Sequence, residues 1–311
     1  MMTLLFLFLY AAVLVCAIAC IVRAYSYARA PVHLRWELYP VPHEEARRVA
    51  HGGSYFELVD WWTHPVHFNL WGELKFMVPE MVFLKGLWEF NRPLWFRSFP
   101  FHFGLYLLAG TVGLVFVHAL LDIAAPSIST SALGSLLPPL YTLTAVLGGV
   151  LCILGALSLL HRRLTDRALR NYTVPGDIFN LLFFIITLGL LFIGFAAQGP
   201  ESPDGLAIAR ALLTFDTAIA IPGMVALGLF LAGLLAAYIP MTHMAHFIAK
   251  YFTYHSIRWD DKPIAQNKQL ARKIAEQLAY RPTWSAAHVM ADGKKNWVDI
   301  ATSNPAQGAQ K

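Results

Sequence analysis

The chain has 311 residues, of which 57% are apolar and only 14% charged, with a formal net charge of +5 and a mean hydropathy of +0.51. That balance excludes an ordinary soluble globular domain, in which about a quarter of the residues are charged. The three cysteines, Cys16, Cys20 and Cys152, form no C-x-x-C pair, which excludes a disulfide framework and any iron–sulfur cluster held by this chain alone.

The first predicted element is an apolar run from Leu4 to Val22, long enough to cross a bilayer. No basic residue precedes it and no small-residue cleavage site follows, so it reads as a retained helix with its N-terminus outside. Arg23 and Arg29 come directly after it. A long polar segment, 23–98, follows and holds six of the nine tryptophans: Trp36, Trp61, Trp62, Trp71, Trp88 and Trp95. Aromatic rings mixed with Lys and Arg suit a membrane–water interface. Within this segment Leu70, Leu74, Met77, Met81, Leu84 and Trp88 recur at steps of three and four, with Glu73, Lys75, Glu80, Lys85 and Glu89 between them. The spacing predicts one amphipathic helix, lying on the inner membrane surface or packed under a soluble subunit.

Four more spans follow, at about Phe99 to Leu121, Leu140 to Leu160, Ile178 to Ala197 and Ala218 to Ile239. Lipid offers backbone groups no partner, so each must be helical. With the N-terminus outside, nine Lys/Arg fall after the first span, four between the third and fourth, and ten after the fifth. Only Arg210 of the 24 is left outside, among Asp122, Glu201, Asp204 and Asp216. The basic charge therefore describes a cytoplasmic face and not a nucleic-acid binder. The expected fold is an all-α integral membrane protein of five transmembrane helices, N-terminus outside, with a long cytoplasmic loop containing an interfacial amphipathic helix. Its parts are a first span (1–22), the loop (23–98), a four-helix bundle (99–241) and a cytoplasmic tail (242–311), and it is expected in the inner membrane.

Ionisable groups within spans are costly and mark function by default. His102 lies near the cytoplasmic start of the second span and His118 near its outer end, while His243 and His246 follow the fifth. Because the second and fifth spans run in opposite directions, His102 and His246 fall at similar depth. Two imidazoles from facing helices clamp one b-type haem iron with no open position. Absence of C-x-x-C-H argues against covalent attachment. The alternative is that these are interfacial histidines bonded to lipid headgroups or carbonyls. Arg97, His161, Arg162 and Arg163 are placed to bind haem propionates, or are ordinary positive-inside charge.

Several stretches together resemble a known family. Gly148 to Arg163, GGVLCILGALSLLHRR, followed by Gly176-Asp177-Ile178, is similar to the third and fourth helices of the respiratory nitrate reductase gamma subunit family. Phe101-His102-Phe103-Gly104 resembles that family's first haem histidine. Pro240-Met241-Thr242-His243-Met244-Ala245-His246 resembles the end of its fifth helix, where the ligand lies six residues after a proline, here His246. The likeness covers roughly Phe99 to Tyr254. It implies an electron-transfer subunit that binds haem b through His102 and His246 and exchanges electrons with a quinone, menaquinone or another. His243 is then left to bond carbonyls or a propionate.

The long first loop is more similar to that of related membrane cytochromes b in sulfate-reducer transmembrane complexes and heterodisulfide-reductase-like systems. That likeness implies a cytoplasmic iron–sulfur partner with cysteine-rich repeats, and further membrane or cytochrome c subunits in the same complex. The family's second haem would need ligands at about Val112 and Gly228, which cannot bind iron, so one haem is expected. His118, about 24 Å along the helix from His102, keeps three readings: ligand of an outer haem with Met224, quinone contact, or interfacial histidine. For the quinone headgroup, His64, His67, Glu73 and Lys75 are candidates without a diagnostic spacing. Two rival classes are a haem-free membrane anchor and a transporter, the latter disfavoured by the lack of an inverted repeat.

Overall fold

A computed structural model describes residues 1–29, 69–254, 268–284 and 291–303, together with residues 47, 59, 60, 63, 64 and 289. Trp36, Trp61, Trp62, His67 and the side chain of Glu73 lie outside what is described. Among the described residues the regular elements are helices, and five of them are long and apolar enough to span a membrane. In chain order the α-helices are α1 (Met2–Arg29), α2 (Leu70–Val82), α3 (Lys85–Phe90), α4 (Arg92–Ala124), α5 (Pro126–Ser129), α6 (Leu137–Thr165), α7 (Arg167–Arg170), α8 (Pro175–Ala197), α9 (Gly205–Thr214), α10 (Gly223–Tyr238), α11 (His246–Tyr254), α12 (Lys268–Leu278) and α13 (Trp297–Thr302). The chain divides into two units, Met1–Ile21 with Met77–Ala245, and Val22–Phe76 with His246–Lys311.

The first unit is the helix bundle. Consecutive spans α4, α6, α8 and α10 pack as neighbours. The seam between α4 and α6 is closed to backbone contact. A Cβ on Gly104 would stand 2.5 Å from both the Cys152 nitrogen and the Gly148 oxygen, and one on Gly155 would stand 2.4 Å from the Phe101 nitrogen. Only glycine fits at such a separation, the usual device where lipid supplies no hydrophobic drive for helices to associate. Midway along the seam the Thr111 and Thr144 hydroxyls meet at 2.8 Å. Phe101, Cys152, Ala156, Leu181, Phe183, Phe184 and Leu235 form the core beside it. A second core joins Leu5 and Phe6 of α1 to Ile208 and Ala211 of α9, to Ile221 just before α10 and to Val225 in its first turn.

Two predicted boundaries move. The fifth span begins at Gly223 and not near Ala218, because Pro222 disfavours helix at the residue before it. Ile221 is instead buried as a core residue of the connection. The single amphipathic helix expected through Trp88 is broken at Leu84, which adopts φ 53° and ψ 48°. Glu80 closes the break by accepting from the Gly86 backbone N–H at 3.0 Å, thereby capping α3. Asn91 then caps α4, with its side chain accepting from Leu94 N–H, so α4 starts well before the apolar run.

An aromatic cluster surrounds this first part of α4. Trp95 stacks on Phe99 with centroids 4.4 Å apart, Phe99 on Phe103 at 5.3 Å, and the Arg92 guanidinium lies 4.6 Å over the Trp88 ring. Trp95 also donates its indole N–H to the Phe83 carbonyl at 2.8 Å. In the second unit, Tyr27 and Phe252 meet at 6.0 Å and the Lys273 ammonium donates to the Ala28 carbonyl at 3.0 Å, while Trp284 packs edge-on against Trp297.

Candidate haem and electron-transfer site

Within the third turn of α4, His102 Nδ1 lies 2.8 Å from the Ser98 carbonyl and 3.3 Å from the Ser98 hydroxyl. A carbonyl oxygen only accepts, so Nδ1 carries the ring proton and donates it, which puts the imidazole lone pair on Nε2. This is the arrangement of a metal-binding histidine, whose second nitrogen donates to a carbonyl that fixes tautomer and ring plane. Ser98 is buried and Phe101 lies edge-on to the ring. Between these neighbours the imidazole is held by its own helix.

His246 opens α11 and is exposed, at the head of the second unit. His243, in the 3-10 turn after α10, is also exposed and points its Nε2 to the Asn180 amide nitrogen at 3.5 Å. Asn180 is a buried polar residue of α8, and its Oδ1 accepts from the Tyr238 hydroxyl at 2.9 Å. Sequence reading missed both Asn180 and Tyr238. A signal was present, since an amide inside an apolar span is costly unless partnered.

Of the cations proposed for haem propionates, Arg163 is joined to Asp177 at 2.9 Å, and that same carboxylate accepts from the Val174 N–H to cap α8. Arg162 lies 3.7 Å from Asp166, which caps α7 through the amides of Ala168 and Leu169. These two arginines therefore serve first to lock the loop between α6 and α8. Arg97 is half-buried one turn ahead of His102, and His161 is exposed. His64 and Lys75 are described, but no site forms around them in what is described; His67 lies outside it.

The other end of α4 differs. His118 is 5% exposed, packed inside the bundle at that end of the helix. Its Nε2 stands 4.0 Å from Asp122 Oδ1, while Nδ1 is buried with no hydrogen-bond partner among the described residues. Asp122 also accepts from the Ser129 hydroxyl and pairs with Arg210 of α9 at 3.5 Å. The Tyr141 ring lies 6.0 Å away.

The family's second haem does not fit at its two expected positions. Val112 is exposed, and Gly228 packs against α8, where a Cβ would meet Leu191 Cδ2 at 2.8 Å. The His102 end fits a haem by its tautomer, because Nδ1 donates to the Ser98 carbonyl and Nε2 is the nitrogen of the ring that can ligate iron. Among the described residues no three His, Cys, Asp or Glu side chains converge on one point.

Among curated proteins none matches the chain. The profile of the nitrate reductase gamma subunit matches residues 88–260, more than half of the sequence, and spans α4 to α11. By that match, which takes in four of the five apolar helices, the chain belongs to the nitrate reductase gamma subunit family, multi-pass membrane subunits of cytochrome b type that move electrons within multi-subunit complexes.

Proposed function

We propose that this chain binds one haem b between His102 and His246 and carries electrons between a quinone, menaquinone or another, and a cytoplasmic iron–sulfur subunit of heterodisulfide-reductase-like type. The reading places it in the inner membrane with its N-terminus outside and the His102 end at the cytoplasmic face, where all but one of its Lys/Arg gather. Cytochrome c or further membrane subunits complete the complex, as in the sulfate-reducer systems whose first loop it resembles. The observation that carries the proposal is the His102 Nδ1–H bond to the Ser98 carbonyl, which prepares Nε2 as a ligand.

Haem held there supplies a one-electron relay between a two-electron quinone and an iron–sulfur cluster. The protein's own part is to fix the His102 ring, to exclude water with the Trp95–Phe99–Phe103 stack, and to hold the helices at constant spacing through the Gly104–Gly155 seam. Arg97 and His161 remain for the propionates, with Arg162 and Arg163 contributing positive potential beyond their own ion pairs.

Spectra and a pyridine haemochrome count on purified protein test this. One haem per chain is expected in the wild type and in His118→Ala, and roughly a tenth of that or less in His102→Ala or His246→Ala. A wild type with no Soret band would leave only a haem-free anchor. Two haems, one of them lost in His118→Ala, would replace the single site with a pair.

A further inference from the structure

The PMTHMAH segment offers two histidines, and the fold treats the first of them differently from His102. At His102 the ring proton goes to a backbone carbonyl, which makes Nε2 the basic nitrogen of the ring. At His243 it is Nε2 that meets a donor. The Tyr238 hydroxyl fixes the direction of the Asn180 amide by donating to Oδ1 at 2.9 Å, which turns Nδ2–H toward His243 Nε2 at 3.5 Å. An Nε2 that accepts from an amide uses the lone pair that iron would need, and it leaves the ring proton on Nδ1.

Asn180 is 6% exposed and sits near the start of α8, inside the bundle. A buried amide in a membrane helix is costly unless both of its ends are satisfied, and here one end goes to Tyr238 and the other to His243. Through Tyr238 the amide joins α8 to α10, and through Nδ2 it reaches His243 in the turn beyond, holding that ring in one orientation.

We infer that Asn180, backed by Tyr238, is a positioning residue that withholds His243 Nε2 from iron and so assigns ligation to His246, three residues later. This rests on the haem reading above. A single hydrogen bond of this kind biases such a competition by roughly five- to tenfold.

The test is whether releasing His243 rescues a protein deprived of His246. Haem per chain is measured by pyridine haemochrome, and the low-spin g-values by electron paramagnetic resonance. His246→Ala should retain roughly a tenth or less of the wild-type haem, since losing even a ligand's outer-shell partner costs about tenfold or more. In Asn180→Leu/His246→Ala the content should rise several-fold, with a new low-spin signal, and adding His243→Ala should abolish the gain. Tyr238→Phe/His246→Ala gives a second route by freeing the amide to turn, and should show a smaller gain. Gel filtration in detergent confirms that each variant is folded.

Haem as low in both double variants as in His246→Ala, with the proteins monodisperse, overturns the inference while leaving the single-haem reading intact. So does full haem in His246→Ala, because His243 would then already be competent with Asn180 in place. A haem-free wild type overturns the parent reading and this one together.

Discussion

The two ends of α4 carry the same side chain in opposite settings. At one end His102 gives its ring proton to the carbonyl of its own helix, with Phe101 edge-on to the imidazole. At the other, His118 is buried against Asp122, whose carboxylate is shared with Ser129 and with Arg210 of α9. A neutral carbonyl orients an imidazole without adding charge, which suits a ligand. A carboxylate shared with a serine and an arginine ties the histidine into a polar cluster at that end of the bundle. The identity of the residue therefore says less than the acceptor that faces it.

The largest effect expected is the one that separates the two ends outright. His102→Ala should lower haem content by at least about tenfold, since even losing a ligand's outer-shell partner costs that much, whereas His118→Ala should leave it unchanged. Equal losses in both would erase the contrast. Next comes the seam on which the His102 end depends. Gly104→Leu must push a side chain into the α6 backbone and should destabilise the bundle by about 1–3 kcal/mol or more, seen as a lowered unfolding temperature in detergent. No shift in unfolding temperature would show that the helices part without cost.

A smaller effect is expected at the His118 end. Asp122→Ala removes the acceptor shared by Ser129 and Arg210 and the carboxylate beside His118, and should cost about 1–3 kcal/mol while sparing haem. Faster amide exchange confined to α9 would locate that loss, and loss of haem instead would show that the two ends are coupled. The smallest change lies outside the bundle. The backbone N–H groups of Lys295 and Lys294 hold the Asp292 carboxyl below the usual carboxylate range. Its folded pKa is lowered, so the contribution is present above the unfolded value and is lost as pH falls through the folded one. The protection factors of the Lys294 and Lys295 amides, taken against the intrinsic exchange rate at each pH, should fall on acidification in the wild type and should be low and flat with pH in Asp292→Ala.

Much of this architecture was legible in the residues. Hydropathy located all five spans, and the motif at Gly148 to Arg163 pointed to the right family. What hydropathy does not see is why some of those residues are there. Gly148, Cys152 and Gly155 carry part of the family likeness, yet in the fold their role is to let α6 touch α4. Periodicity ran straight through Leu84 because a hydrophobic step of four continues across a helix break, and only the left-handed backbone at that residue reveals it. Arg162 and Arg163 looked available for anions because charge in a sequence has no address, while in space Asp166 and Asp177 answer them. Asn180 and Tyr238 escaped notice because they are isolated, 58 residues apart, and only the pairing of α8 with α10 makes them neighbours.

The seam of glycines between α4 and α6 has one more consequence. Two rods that meet backbone to backbone have no layer of side chains to rearrange, and close-packed interiors deform little. A carrier that gains and loses charge at every turnover does best when its frame does not respond, because each adjustment of the frame would slow the next transfer. By this measure the stiffness at Gly104 and Gly155 belongs to the working parts of the protein as much as any ligand does.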